Sequence, residues 1–391
     1  KFKKDGRFHV TSIADIYSNF TEAMGLIRST DEGKVEALAA YGEVDADLLE
    51  KLNSCVFIEN LQFKFRVGEF SQFSDNSYLK NVKTKIGEKN FCATAQHWLE
   101  ETVVEYLNQL HMATKASRLC LAGGVTANVI MNYKIFEETP FEEIYVAPPM
   151  GDEGTALGSA LISIVEKGAD ISWLQRYEMP YFGPSFSESQ VRSALATFES
   201  DIVVNKIDRD WPLVAAERIA KDQVIAIFHG RMEFGPRALG NRSILASPSS
   251  ARTRERINSF VKRRPFYQPF CPSVLEEERE RLYERSFSHK HMATAFMLKR
   301  EFRDQLPSAI HVDGTSRPQF VSERDNPSYF HLIRHLKKLT SFGVVINTSF
   351  NLHGRPVVHS PSDAIRDFLD CNLDALYLEG FEIVRSGVRC D

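Results

Sequence analysis

The segment from Phe228 to Pro248, FHGRMEFGPRALGNRSILASP, places arginines among glycines directly after an apolar run. That run, residues 224–228, is typical of a buried strand. Glycines in the loop that follows let a ligand approach the backbone closely, and guanidinium groups grip phosphate or carboxylate oxygens in pairs. A solvated basic loop is the alternative, but such loops rarely mix arginine with so many apolar residues. We therefore predict an anion-binding loop whose cations are Arg231, Arg237 and Arg242.

The bulk composition limits the classes of protein to consider. The chain has 391 residues, 43% of them hydrophobic, so two or three domains with full cores are expected. The formal net charge of -4 argues against a protein whose overall role is to bind nucleic acid or an anionic membrane. No apolar run reaches the length of about 18 residues that a membrane span needs. The six cysteines lack metal-type spacing and indicate reduced thiols in a cytoplasmic protein.

Two glycine-containing loops follow predicted strands in the first half of the chain. The strand at residues 118–122 opens onto Gly123 and Gly124, and a helix follows near Asn128. Small residues and a helix N-terminus favour an anion there. Plain turn chemistry is an equally good interpretation of this loop taken alone.

The second of these loops carries a carboxylate at its tip. It follows the strand at residues 143–147 and contains Asp152 and Gly154. Asp152 suits either a metal ligand or a helix N-cap, and the local sequence does not choose between them.

A break in the pattern near residue 180 predicts a boundary between a first domain, residues 1–180, and a second, residues 181–391. The second domain is predicted to contain helices at residues 211–221 and 327–338. A strand at residues 343–347 then opens onto a polar loop. Ligand sites collect at the carboxyl ends of strands in α/β sheets, so this loop is a second candidate for the site.

Several segments occur in an order that resembles a known family. They are AGGVTAN, PPMGDEGTALGSAL, GRMEFGPRALGNRSIL, the Lys262 region, TSRPQ and NTSFN with HGRPVV behind it. Together they resemble the O-carbamoyltransferases of the nodulation-protein-U type, which modify natural products. The resemblance implies an α/β protein with part of a Kae1-like domain of the actin/Hsp70 (ASKHA) type, followed by a YrdC-like α/β domain. It also implies that the start of the first domain is missing.

In such enzymes the second domain forms carbamoyl-adenylate from carbamoyl phosphate and ATP. The first domain then transfers the carbamoyl group to a hydroxyl of a small-molecule acceptor, with a bound nucleotide and a divalent metal of the iron or the magnesium/manganese type. A homodimer is the candidate assembly.

The resemblance assigns roles by position. The residues that match the carbamoyl-phosphate and adenylate pocket are Arg237, Arg242, Lys262, Arg317 and Ser349. The expected lining and cofactor-binding residues are Arg231, Asn347, Asn351, Gly123, Gly124, Asn128 and Gly154. Asp152 matches a metal ligand, which moves the interpretation of this residue towards metal.

One departure from the family keeps other functions open. The histidine pair that supplies further metal ligands in such enzymes is absent upstream. His331 and His335 have a metal-type spacing, but we interpret them as surface or packing residues. An RNA-binding YrdC-like module and an inactive or regulatory carbamoyltransferase relative are therefore the alternatives to the enzyme.

Overall fold

The structure is a computed structural model that describes residues 2–4, 7–9, 12–176, 178–262, 265 and 267–387. Residue contacts divide the chain into two compact units. Unit 1 comprises residues 1–152 with 293–295, and unit 2 comprises residues 153–292 with 296–391. The domain boundary near residue 180 stays a prediction.

Unit 1 is mainly helical. Its helices are α1 (Ile13–Ala23), α2 (Glu32–Ala39), α3 (Ala46–Cys55), α4 (Val67–Phe73), α5 (Asn76–Ile86), α6 (Glu88–Thr114) and α7 (Val129–Glu138). Its strands are β1 (Phe2–Lys4), β2 (Arg7–His9), β3 (Val56–Glu59), β4 (Gln62–Phe65), β5 (Arg118–Leu121) and β6 (Glu143–Val146). The long helix α6 buries Phe91, Ala95, Trp98 and Leu99, which recur at helical spacing, and helices α1, α2, α3, α5 and α7 pack on it.

The parallel pair β5 and β6 positions both loops of the first half. Arg118 pairs with Glu143 and Leu121 with Val146, so the two strands end at the same edge. The loops after them are joined by a hydrogen bond from the Gly123 N–H to the Met150 carbonyl, at 2.8 Å.

Unit 2 contains the remaining elements. Its helices are α8 (Asp152–Glu166, whose first residue belongs to unit 1), α9 (Glu188–Thr197), α10 (Trp211–Ala220), α11 (Ala251–Arg256), α12 (Arg279–Leu282), α13 (Pro327–Thr340) and α14 (Pro361–Asp370). Its strands are β7 (Ile202–Lys206), β8 (Ile225–Phe228), β9 (Arg242–Ala246), β10 (Cys271–Leu275), β11 (Phe296–Met297), β12 (Thr315–Ser316), β13 (Gln319–Val321), β14 (Val344–Ser349), β15 (Ala375–Leu378) and β16 (Phe381–Arg385). The helices predicted at residues 211–221 and 327–338 are confirmed by α10 and α13.

An eight-stranded mixed sheet organises unit 2, in the order β13-β10-β14-β9-β8-β15-β16-β7. Adjacent residues of one strand enter opposite cores, as the two-residue period of a strand requires. Ile244 and Ile346 pack with α9 and α14, whereas Leu245 and Val345 pack with α10 and α13. The predicted α/β class is confirmed, while the Kae1-like and YrdC-like assignments stay predictions.

The strand directions bring the sequence motifs to one edge of this sheet. Strands β8, β14 and β15 run in one direction and end at this edge. Strands β9 and β10 are antiparallel to β14 and begin at the same edge. Strand β13, parallel to β10, begins at the same edge. The loop after Phe228, the loop after Ser349 and the segment around Arg317 therefore share one end of the sheet.

In the described part of the chain, no helix combines the length and the apolar content needed to cross a membrane.

Candidate functional site

The loop at residues 229–241, which we call the arginine loop, is held together by charged side chains that bond to its own backbone. Glu233 is 8% exposed, and its Oε1 accepts from the backbone N–H groups of Leu239 at 2.8 Å, Asn241 at 2.7 Å and Arg242 at 3.2 Å. A carboxylate that accepts several backbone donors makes strong, charge-assisted bonds. The loop is therefore rigidly supported from within.

Arg242 supplies the complementary donors. Its side chain is fully buried, and its two terminal nitrogens donate to the carbonyls of His229, Asn241, Gly230 and Pro184 at 3.0–3.3 Å. The guanidinium carbon lies 3.5 Å from the centroid of the Phe228 ring. Burial lowers the pKa of this guanidinium to about 10, while nearby Glu233 and Glu379 oppose the shift.

This arrangement differs from the expectation for Arg242. We predicted a direct substrate contact, but the structure turns its guanidinium towards loop carbonyls. Arg242 begins β9, a strand that is buried on both faces, and it lies directly opposite Phe228 of β8, so its side chain packs on that ring. Arg242 supports the loop in this structure, and its contact with a substrate stays a prediction.

A second carboxylate fixes the start of the arginine loop. Glu379 directly follows β15, the parallel neighbour of β8. Its Oε1 accepts from the Gly230 N–H at 2.9 Å, and its Oε2 lies 3.2 Å from Nδ1 of His229.

The other two arginines of the loop are placed differently from each other. Arg231 is exposed and donates to the carbonyls of Phe182 at 2.7 Å and Gly183 at 3.0 Å. Arg237 is half-buried and lies inside the segment that Glu233 closes. Arg237 therefore stays the candidate ligand-binding cation among the three arginines.

One glycine of the motif has a packing role that the sequence did not indicate. Gly240 has φ +108°, and a Cβ built there would lie 2.4 Å from the ring of Tyr329. We predicted that the glycines of this loop let a ligand approach the backbone closely. At Gly240 it is the Tyr329 ring that lies against the backbone.

Lys262 lies beside Ser349 and Asn351, although it is 87 and 89 residues away from them in sequence. Lys262 is 2% exposed, and its ammonium group donates to Oγ of Ser349 at 3.1 Å and to Oδ1 of Asn351 at 2.7 Å. It also reaches the carbonyls of both residues, at 2.5 and 3.0 Å. The Ser349 hydroxyl donates to Oδ1 of Asn351 at 2.6 Å. These three side chains form one polar group at the end of β14, in which Lys262 is buried and Ser349 and Asn351 are half-buried.

Arg317 lies just before β13 and Asn347 lies on β14, and strand β10 separates these two strands in the sheet. Arg317 donates through Nε and Nη2 to the sulfur of Cys271, at 2.8 and 2.5 Å. Cys271 is the cross-strand partner of Asn347. Nδ2 of Asn347 donates to the Ala238 carbonyl of the arginine loop at 3.1 Å. Asn347 therefore links the sheet to the loop.

In unit 1 the glycine loop has the open backbone that a ligand needs. Gly123 and Gly124 are exposed, Gly123 has φ +105°, and a Cβ built at either glycine would meet no atom within 4 Å. This geometry favours close approach of a ligand, which stays a prediction.

The helix that follows this loop already has internal acceptors at its N-terminus. Asn128 caps α7, because its Oδ1 accepts from the Met131 N–H at 2.9 Å. The Glu36 carboxylate accepts from the Ile130 N–H at 2.9 Å. Gln96 bonds both amide atoms of Asn128, at 2.8 and 3.0 Å. Asn128 thus has a structural role here, and its predicted contact with a nucleotide remains to be tested.

Asp152 and Gly154 lie in the first turn of α8. Asp152 is exposed, and Gly154 is half-buried. Among the described residues, no group of three or more His, Cys, Asp or Glu side chains is arranged to hold a metal ion. Sites with three or four protein ligands, as zinc prefers, are therefore not formed by the described residues. A magnesium or manganese ion held by Asp152 together with substrate phosphates stays a prediction.

The buried carboxyl group of Glu100 should make the stability of unit 1 depend on pH. Burial raises its pKa from 4.5 to about 7, against the opposing hydrogen bond from Gln96. Between these two pH values the unfolded chain loses its proton before the folded one, so the folded state is disfavoured progressively as pH rises. Above about pH 7 the penalty is complete, on the order of 3 kcal/mol at most. Glu100→Gln should therefore be more stable than wild type at about pH 8 and nearly equal to it below about pH 4.5.

Urea unfolding at the two pH values measures this difference, and amide exchange in α6 locates it in unit 1. The matched control is Glu105→Gln on the same helix, whose carboxylate is exposed. Equal pH dependence in wild type and Glu100→Gln would contradict the prediction.

Three residues of the site were not identified from the sequence: Glu233, Glu379 and Cys271. Glu233 had a recognisable signal, because it is an acid inside a motif that is otherwise basic. Glu379 and Cys271 had none, since their partners become neighbours only when the strands pair.

The sequence matches two family models. Residues 2–161 match the one described as Carbamoyltransferase N-terminus, and residues 216–385 match Carbamoyltransferase C-terminus.

Three curated relatives are similar over most of this chain. The uncharacterized protein MJ1058 of Methanocaldococcus jannaschii is 54% identical over 97% of this chain and 63% of its own length. Nodulation protein NolO of Bradyrhizobium diazoefficiens is 37% identical over 90% of this chain and 65% of its own. The 3'-hydroxymethylcephem-O-carbamoyltransferase of Streptomyces clavuligerus is 29% identical over 89% of this chain and 63% of its own. The chain thus spans less than two thirds of the length of these relatives.

Among solved structures, full-length HypF in the phosphate- and nucleotide-bound form aligns with a TM-score of 0.30. Its identity is 11%, over 47% of this chain and 22% of that chain. The two family matches and the named relatives do confirm the resemblance found in the motifs: the chain belongs to the carbamoyltransferase family.

Proposed function

We propose that this protein is an ATP-dependent O-carbamoyltransferase that modifies a hydroxyl group of a small-molecule natural product. Unit 2 would form carbamoyl-adenylate, and unit 1 would contribute to the transfer of the carbamoyl group. The observation that carries the proposal is the shared edge of the unit 2 sheet. The arginine loop, the Lys262–Ser349–Asn351 group and Arg317 all lie there, although the sequence separates them widely.

The chemistry of the first step explains why cations are needed at this edge. Carbamoyl phosphate and ATP are both polyanions, and two like charges about 4 Å apart repel by about 4 kcal/mol at an effective dielectric of about 20. Arginine and lysine side chains offset this repulsion and orient the phosphates without a covalent intermediate on the protein. Arg237 and Arg317 would face the phosphates, and the Lys262 group would support the loop after β14.

Atom balance defines the products of this step. Carbamoyl phosphate reacts with water, so that inorganic phosphate leaves and a carbamate oxygen becomes available. That oxygen attacks the α-phosphorus of ATP, and pyrophosphate departs. One inorganic phosphate and one pyrophosphate are therefore released for each carbamoyl-adenylate formed.

The second step transfers the carbamoyl group from the adenylate. The acceptor hydroxyl oxygen attacks the carbamoyl carbon, AMP leaves, and the hydroxyl proton must pass to a base. The exposed backbone at Gly123 and Gly124 would approach the nucleotide. The described residues do not complete a metal site, so no part of this step is assigned to a metal.

The proposal predicts that pyrophosphate is released only when both substrates are present. Incubation of the chain with carbamoyl phosphate and ATP should release inorganic phosphate and pyrophosphate in equal amounts, as measured by enzyme-coupled assays. Addition of hydroxylated acceptors should yield a carbamoylated product in one or more cases, detected by intact-mass analysis. Omission of either substrate is the control. No carbamoyl-phosphate-dependent pyrophosphate release would overturn the proposed function and favour an inactive relative.

A further inference from the structure

Glu233 is an unexpected residue in a loop proposed to bind polyanions. It lies between Arg231 and Arg237 in the arginine loop. A free carboxylate at this position would repel carbamoyl phosphate and ATP. The structure shows that it is not free, since the residue is 8% exposed and bonded to backbone donors.

The donors to Glu233 lie on the far side of Arg237. Glu233 precedes Arg237 by four residues, whereas the N–H groups that it accepts belong to Leu239, Asn241 and Arg242. The carboxylate therefore ties together the two ends of the short segment that carries Arg237. With the ends fixed, the backbone of the segment retains few conformations.

Neutral side chains hold the carbonyls of the same segment. The Ala238 carbonyl accepts from Asn347 at 3.1 Å, and the Leu239 carbonyl accepts from Gln319 at 3.0 Å and Tyr181 at 2.8 Å. Glu233 is the acidic acceptor for the N–H groups of Leu239, Asn241 and Arg242. Its loss would free three donors at once.

We propose that Glu233 is a positioning residue, which holds Arg237 in the orientation that binds the phosphate of carbamoyl phosphate. This inference rests on the proposed function. Glu233 itself does not touch the substrate. Misplacement of a charged group by about 1 Å can cost on the order of 100-fold in rate, so its effect should be large.

A double-mutant cycle separates this role from general support of the fold. Pyrophosphate release is measured for wild type, Glu233→Gln, Arg237→Lys and the double variant, with carbamoyl phosphate varied at saturating ATP. Glutamine keeps one oxygen acceptor but loses the charge, so Glu233→Gln should lower kcat/KM by about 10–100-fold, mainly through KM. In the Arg237→Lys background the same change should cost less than about threefold, because the group that Glu233 positions is already altered.

Glu278→Gln is the matched control. Glu278 is also a buried carboxylate of unit 2, 3% exposed, but it pairs with Arg281 and Lys337. It should lower the melting temperature without changing KM for carbamoyl phosphate.

Each outcome decides a different question. Wild-type activity with an unchanged kcat/KM in Glu233→Gln, or equal effects of Glu233→Gln in both backgrounds, would overturn the positioning role and leave the proposed function standing. A wild-type chain without pyrophosphate release would overturn both.

Discussion

Replacing Arg237 by alanine is expected to lower carbamoyl-phosphate-dependent pyrophosphate release by at least about 100-fold. The guanidinium is proposed to bind the phosphate, and removal of one preorganised donor of this kind typically costs on the order of 100- to 1,000-fold in rate. The fold should survive, because Arg237 is half-buried and the loop backbone is held by Glu233, Arg242 and Asn347. Initial rates of pyrophosphate release and thermal unfolding of the same sample measure the two effects.

Arg366→Ala is the matched control for this substitution. Arg366 is an exposed arginine of α14 with an i,i+3 ion pair to Asp363, and exposed pairs contribute little to stability. It should retain wild-type activity. Wild-type activity in Arg237→Ala would remove this arginine from the proposed pocket.

Replacing Arg242 by alanine is expected to destabilise unit 2 by roughly 3 kcal/mol or more. Four backbone carbonyls would lose the donors of Arg242, although those of Asn241 and Pro184 would each keep a backbone N–H. A cavity would also open over Phe228. Activity should fall together with stability, since the arginine loop loses its internal support. Urea unfolding, monitored by amide exchange in β8 and β9, measures the decrease in the free energy of unfolding of unit 2.

Two further variants at this position separate packing from hydrogen bonding. Arg242→Met keeps much of the apolar contact with Phe228 and removes every donor. Arg242→Lys keeps the charge but lacks the planar fork that reaches several carbonyls. If hydrogen bonds dominate, the Arg242→Met variant should be nearly as unstable as Arg242→Ala. The stability of Arg242→Lys should then lie between those of wild type and Arg242→Ala. A methionine variant as stable as wild type would show that the carbonyl contacts matter little.

Local sequence patterns predicted the elements that carry the site. The apolar runs before the arginine loop and before Ser349 became β8 and β14, because strands that are buried on both faces need continuous apolar residues. The strand-loop-helix units of the first half became β5 and β6 with their loops. These predictions depend on a few consecutive residues, which is why they hold.

The direction of individual side chains was harder to predict. Arg242 and Arg237 belong to one motif and have the same chemistry, yet one is fully buried and the other half-buried. Both faces of β9 are buried, so alternation along the strand did not distinguish the two arginines, and Arg242 meets the Phe228 ring only when β8 and β9 pair. At Asn128 the decisive partner was Gln96, which is distant in sequence and becomes a neighbour only when α6 and α7 pack.

The sequence by itself determined that a glycine-punctuated arginine loop follows a buried strand, and that the chain resembles the carbamoyltransferases. Those conclusions rest on short motifs and on hydrophobic period. Only the tertiary structure decided that Glu233, Glu379 and Arg242 hold the loop, and that Lys262 meets Ser349 and Asn351. The physical reason is that buried charges need partners, and the pairing of strands and helices that are distant in sequence selects those partners.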